Sequence, residues 1–132
     1  VIFTEYGISG NAVFSVSPAF AGHNGDVVIS FAPEFTEKQL KDDIISKQSL
    51  GYGAGDVLAL TLNNQIGRAI VKRAASSDAE VIAHTAKNFV LPVYGTLGFD
   101  YAQVTRGGID MNDVTDELES RLCHGLFFAG EI

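Results

Sequence analysis

The sequence predicts an α+β fold: a partial β-barrel or sheet built from N- and C-terminal strands, with a central helical insert. Three observations carry this. Strand-forming runs lie near both ends, at Val1 to Thr4, Val27 to Phe31 and Phe89 to Tyr94. Between residues 36 and 88 the apolar spacing turns helical and two capping signals appear. Strands and helices come in blocks and do not alternate, which argues against βαβ units and a parallel sheet.

Val1-Ile2-Phe3-Thr4 is rich in β-formers and breaks at Gly7-Ile8-Ser9-Gly10. Asn11 to Ser17 reads as a short helix capped by Ser9 or Asn11 and ended near Pro18. The Asn24-Gly25 pair marks a turn into the Val27 to Phe31 strand, which Pro33 closes. Thr36 and Gln39 then form a capping box, with Phe35 and Leu40 at the staple positions and Leu40, Ile44 and Ile45 following at helical spacing. Gly51, Gly53 and Gly55 break the chain. Asp56 to Leu62 and Gln65 to Ala75 read as two short helices. Ser77 to Glu80 offers a second capping box for a helix running to about Lys87, with Val81, Ile82 and Ala86 as its apolar positions. Phe89 to Tyr94 is a strand, Gly95 to Gly98 a turn, and Tyr101 to Thr105 a further strand ended by Arg106-Gly107-Gly108. Asp110 to Ser120 is acidic and reads as loop, or one short turn, and Leu126 to Ala129 as a final buried strand. The expected organisation is a β-rich part over 1–35, a helical subdomain over 36–88, a β-rich part over 89–122 and a closing strand over 123–132.

The 132 residues suit one domain with a sizeable core, at 46% hydrophobic and 19% charged. A net charge of −7 would repel a phosphate backbone, and no polybasic patch suits an anionic membrane. Neither nucleic acid nor membrane is expected as a partner. Cys123 is the sole cysteine, which excludes an internal disulfide and fits a reducing, cytoplasmic setting. The chain opens at Val1 and closes at Ile132 in mid-pattern, so a piece of a longer protein is expected.

Most motif-like features have a plain reading. Gly51-x-Gly53-x-Gly55 lacks the spacing of a dinucleotide loop and reads as a connector. His23, His84 and His124 have no second ligand at helical spacing, so no metal site is expected. Asp110, Asp113, Asp116, Glu117 and Glu119 lack the spacing of a calcium loop and read as a solvated acidic loop. Two glycine-rich turns, Gly7 to Gly10 and Gly107-Gly108, are either tight turns or places where bare backbone approaches a flat ligand.

Three stretches, "VIFTEYGISGNAVFSVS", "FVLPVYGTLGFDYAQVTRGGID" and "LESRLCHGLFFAGEI", together resemble the YhiN-like or BaiN-like bacterial flavoproteins, also called the aminoacetone oxidase family. The likeness covers roughly residues 1–17 and 88–132. It departs from the family pattern at Glu5, Asn11 and His124, where that pattern has His, Pro and Pro. The resemblance implies a fragment of an FAD-dependent oxidoreductase: insert domain plus the strand that returns to an absent FAD-binding domain. The parent would move hydride between NAD(P)H, flavin and a small organic substrate. The isolated chain would be inactive and would not retain FAD. The resemblance gives Glu131 a ribityl hydroxyl of FAD to accept from, beside Gly130. It places Thr105, Gly107 and Gly108 near the isoalloxazine ring. It implies no catalytic residue. The partners it implies are the missing FAD-binding domain and the small substrate, and open sheet edges imply self-association. The alternative reading is a non-catalytic module that binds a small molecule or another protein.

Overall fold

The computed structural model describes residues 1–104 and 106–130. They form an α+β fold of four helices and two small antiparallel sheets, and the described residues contain no closed barrel. The chain divides into two compact units, residues 1–22 with 95–132, and residues 23–94.

The second unit holds the core. Strand β3 (Gly25–Ile29) pairs antiparallel with β4 (Phe89–Val93), Ile29 opposite Phe89 and Gly25 opposite Val93. Helices α2 (Glu37–Ser49), α3 (Asn64–Ala74) and α4 (Ala79–Lys87) lie between them in sequence. Helix α2 starts where the capping box predicts: Thr36 Oγ1 accepts from Gln39 N at 3.2 Å, and the Gln39 side chain accepts from Thr36 N at 2.9 Å. Leu40 and Ile44 are fully buried, whereas Ile45 turns outward. Helix α4 is capped one residue later than the Ser77 reading, by Asp78, whose carboxylate accepts from Glu80 N at 2.7 Å. Its Ile82, Ala83 and Ala86 are buried and Val81 is exposed.

The Asp56 to Leu62 stretch is not a helix. A single 3-10 turn spans Ala54–Asp56, and Leu60 then takes a φ of 68°, which ends any helical path. Val57 and Leu58 are buried from this irregular segment. Gly67 of α3 lies against Leu58 so closely that an added Cβ would meet the Leu58 Cβ at 3.1 Å. The buried Lys47 pins the same segment to α2: its ammonium donates to Asp43 Oδ2 at 2.7 Å and to Thr61 Oγ1 at 2.6 Å. Lys87 donates to the carbonyls of Ala32 and Phe35 at 2.8 and 2.6 Å, closing the loop after β3 onto the end of α4. Phe31 and Phe89 meet edge to face, centroids 5.4 Å apart, where the ribbon joins the helical core.

In the first unit, β1 (Ile2–Thr4) and β2 (Gly7–Ser9) form a hairpin across Glu5 and Tyr6, so the Gly7 to Ser9 break of the sequence reading is itself a strand. Thr4 Oγ1 secures the turn, donating to Gly7 O at 3.1 Å. Helix α1 (Asn11–Val16) follows Gly10 without a side-chain cap and passes into a 3-10 turn over Ser17–Phe20. Neither Ser9 nor Asn11 caps it. Pro18 is accommodated in the first positions of that turn, where no amide donor is needed.

Two predicted strands do not form among the described residues. Phe99–Tyr101 is a 3-10 turn followed by bends, where Tyr101 to Thr105 was expected to be extended. The Leu126 to Ala129 run makes one isolated bridge, Glu119 to Phe127, and Leu126 and Phe127 are exposed. Strand propensity needs a paired and covered neighbour, and among the described residues the Leu126 to Ala129 run pairs only with the short 118–120 segment.

Candidate functional site

The family resemblance implies a site at Thr105, Gly107, Gly108, Gly130 and Glu131. Thr105 and Glu131 lie outside the described residues. The three glycines fall in one unit, residues 1–22 with 95–132. Each has a backbone that L side chains rarely adopt, with φ of 119° at Gly107, 115° at Gly108 and 90° at Gly130. A Cβ built at Gly107 or Gly130 would meet nothing within 4 Å. Space is therefore not what requires glycine there. The backbone conformation is, and it leaves a bare main-chain face that a planar ligand could lie against. These residues fit a flavin to that extent. Arg106, beside Gly107, is exposed and has no ion-pair partner among the described residues.

The approach to Gly130 is built by the preceding residues. Val114 pairs with Ser120, and Thr115 N donates to Glu119 O at 2.8 Å, closing a tight turn. Leu118 at its corner has a φ of 63°. Ser120 N donates to Leu126 O at 2.8 Å and Phe128 N to Leu118 O at 2.9 Å, so the 126–128 segment runs back along 118–120. Arg121 braces the turn, its Nε donating to Val114 O at 3.0 Å. Val114 is the one buried hydrophobic side chain among the described residues of this unit.

Glu119, read from sequence as part of a solvated acidic loop, is instead half-buried and bonded. Its Oε1 accepts from Gly125 N at 2.6 Å and lies 2.7 Å from His124 Nδ1. The signal that could have marked it is Thr115 four residues earlier, with the His124-Gly125 pair five and six residues later, but the loop must close before those residues meet. Asp110 caps the 3-10 turn at Met111–Asp113 by accepting from Asn112 N at 2.9 Å. No group of His, Cys, Asp or Glu that could hold a metal occurs among the described residues.

In the helical unit, Gly51 and Gly53 line an open cleft of about 490 Å³ with Leu50, Tyr52, Asn64 and Arg68. Arg68 is tied to Asp56 at 2.9 Å across it. Sequence gave no sign of this cleft, because it arises from packing the loop against α3. No helix among the described residues is long and apolar enough to cross a membrane.

Residues 1–104 match the family model described as "HI0933-like protein barrel and H2TH domain". The chain is 28% identical, over 98% of its length, to the 3-dehydro-bile acid delta(4,6)-reductase of Clostridium scindens, and the match covers 36% of that protein. It is 27% identical, over its whole length, to the ribosomal RNA dihydrouridine synthase of Escherichia coli K12, covering 35% of that one. The chain thus spans about a third of the length of the curated relatives it matches. No solved structure matches it significantly. The resemblance carried by the three sequence stretches is borne out at the level of the family: the chain belongs to the HI0933-like proteins, matching over residues 1–104 the model named for their barrel and H2TH domain.

Proposed function

We propose that this chain serves an FAD-dependent oxidoreductase that reduces a small organic substrate at the expense of NAD(P)H, in the cytoplasm. The observation that carries the reading is the family match together with the two relatives, whose names both describe reduction. One is called a reductase acting at Δ4,6 double bonds; the other makes dihydrouridine, which is uridine with two hydrogens added. The shared chemistry is two-electron addition to a carbon–carbon double bond.

FAD, when bound, supplies the hydride; the protein supplies position and electrostatics. In this proposal Gly107, Gly108 and Gly130 let main chain lie against the flavin, and Glu131 accepts a hydrogen bond from a ribityl hydroxyl. A carboxylate is acceptor-only and suits a sugar hydroxyl donor. The same proposal assigns Thr105, which lies outside the described residues, to the neighbourhood of the ring system. The pyrophosphate and adenine are held by a flavin-binding domain that this chain docks against as partner. Fourteen large apolar side chains, among them Phe99, Tyr101 and Phe127, stand exposed on the described residues of the unit that carries the glycines, which supports such a partner. Open edges of the two-stranded sheets support self-association where that partner is absent.

The charge distribution bears on the substrate. Residues 1–22 and 95–132 carry eight acids against two bases, while residues 23–94 carry eight against seven. The −6 side is the one with the glycines, which disfavours a polyphosphate chain there and favours a small organic molecule. The test is anaerobic reduction of the full-length protein. NADH or NADPH is expected to bleach its flavin band, and an unsaturated carbonyl substrate is expected to restore it. A flavin that neither nicotinamide reduces would contradict the reading.

A further inference from the structure

We propose that Glu119 is a positioning residue for the cofactor, holding the segment that delivers Gly130 to the flavin; this rests on the flavin reading above. Four observations meet at this side chain. Its Oε1 accepts from Gly125 N at 2.6 Å, a short hydrogen bond. The same oxygen lies 2.7 Å from His124 Nδ1. The Glu119 side chain retains only 20% of its exposure while the His124 side chain retains 98%, so the carboxylate points inward to the turn and the imidazole rests over it from solvent. Its own main chain is fixed on both sides, Glu119 N donating to Thr115 Oγ1 at 3.2 Å and Glu119 O accepting from Thr115 N at 2.8 Å.

The consequence is geometric. Gly125 has a φ of 85° and the residues after it run exposed and nearly uncovered to Gly130. Among the described residues, the main-chain bonds Ser120 N to Leu126 O and Phe128 N to Leu118 O fix the register of that run. Glu119 fixes where the run begins, after a turn in which Ser120 Oγ accepts from Leu122 N at 3.2 Å and from Cys123 N at 3.1 Å. A carboxylate acceptor at the end of a glycine turn decides the direction in which five residues leave it. A ligand that contacts the far end through the bare backbone of Gly130 is sensitive to small displacement, because its contacts tolerate only a few tenths of an ångström.

The experiment compares E119A, E119Q and E119D in the full-length protein, reading FAD affinity by flavin fluorescence and amide hydrogen exchange at Gly125 and Phe128. Glutamine keeps an acceptor oxygen at the same reach; aspartate keeps the charge and withdraws it by one methylene. E119A and E119D are expected to weaken FAD binding roughly tenfold or more and to speed exchange at both amides. E119Q is expected to restore both to within about threefold of wild type. Wild-type FAD affinity in a folded E119A would overturn the proposal, and so would an E119Q as impaired as E119A. If E119A does not fold, E119D decides: unchanged FAD affinity and exchange there would overturn it. A wild-type protein that carries no flavin would instead overturn the functional reading and the cofactor half of this inference together, and the exchange data would still judge the clamp itself.

Discussion

Gly67 shows how a single hydrogen can matter more than helix propensity. In an exposed helix, replacing glycine by alanine gains about 1 kcal/mol. Here the new methyl would meet the Leu58 Cβ at 3.1 Å, and Leu58 is fully buried with nowhere to withdraw. Gly67→Ala is expected to destabilise the protein by about 1 kcal/mol, read as a lower urea midpoint. Gly55→Ala is the control, since its Cβ would meet only the flexible Arg68 stem at 3.7 Å, and it should be close to neutral. Gly130 obeys a different constraint, its φ of 90° and not its surroundings. Gly130→Val is therefore expected to strain the main chain by about 1–2 kcal/mol and to weaken FAD binding in the full-length protein, measured by titration. The glycine-rich positions were legible in the sequence, but which of them are held by space and which by conformation was not.

Among the elements, α2 is the one whose start was most fully written in local sequence. Thr36 and Gln39 cap each other within four residues, so no tertiary contact is needed to place them. Thr36→Ala is expected to cost about 1 kcal/mol by thermal or urea melting. The salt bridges on the same helix divide by burial. Lys47 lies buried between Asp43 and Thr61, while Lys41 reaches across exposed surface to Glu80 on α4 at 2.6 Å. Lys47→Ala should therefore lower the melting temperature more than Lys41→Ala, and raised salt should narrow the loss only for Lys41. The Glu80 carboxylate, by hydrogen bond and then by charge, raises Lys41 above its ordinary 10.5. A cation whose folded pKa is raised gives its full stabilisation below the unfolded value and loses it as pH rises through the folded value; the Lys41 contribution should thus fade only as pH rises past about 10.5 and should shrink in Glu80→Gln, where Asp78 and Asp42 still favour the cation. The elements that sequence misplaced, Asp56 to Leu62, Tyr101 to Thr105 and Leu126 to Ala129, share a cause. Each was assigned from composition over a few residues, and for the first and last the outcome depends on how the chain packs beyond that window. Leu58 buries against α3, and the 126–128 run has only 118–120 to pair with.

At the scale of the whole molecule, the α+β class and the family were legible because strands and helices come in blocks and three motifs keep their order. The division of surface between the two units was not. Ten of the buried core side chains belong to residues 23–94, whereas the described part of the other unit buries Val114 alone and exposes fourteen large apolar groups. A surface of that kind is expected to bind a hydrophobic dye in the 132-residue chain and to lose that binding in the full-length protein. The central claim is that this apolar, glycine-bearing unit completes a flavin site formed with a further domain. The measurement that tests it most directly is the flavin-to-protein ratio after purification, by visible absorbance near ~450 nm. About one FAD per chain in the full-length protein, with a colourless 132-residue chain, is the result this account predicts; a full-length protein without flavin, or a 132-residue chain that binds it stoichiometrically by itself, would contradict it.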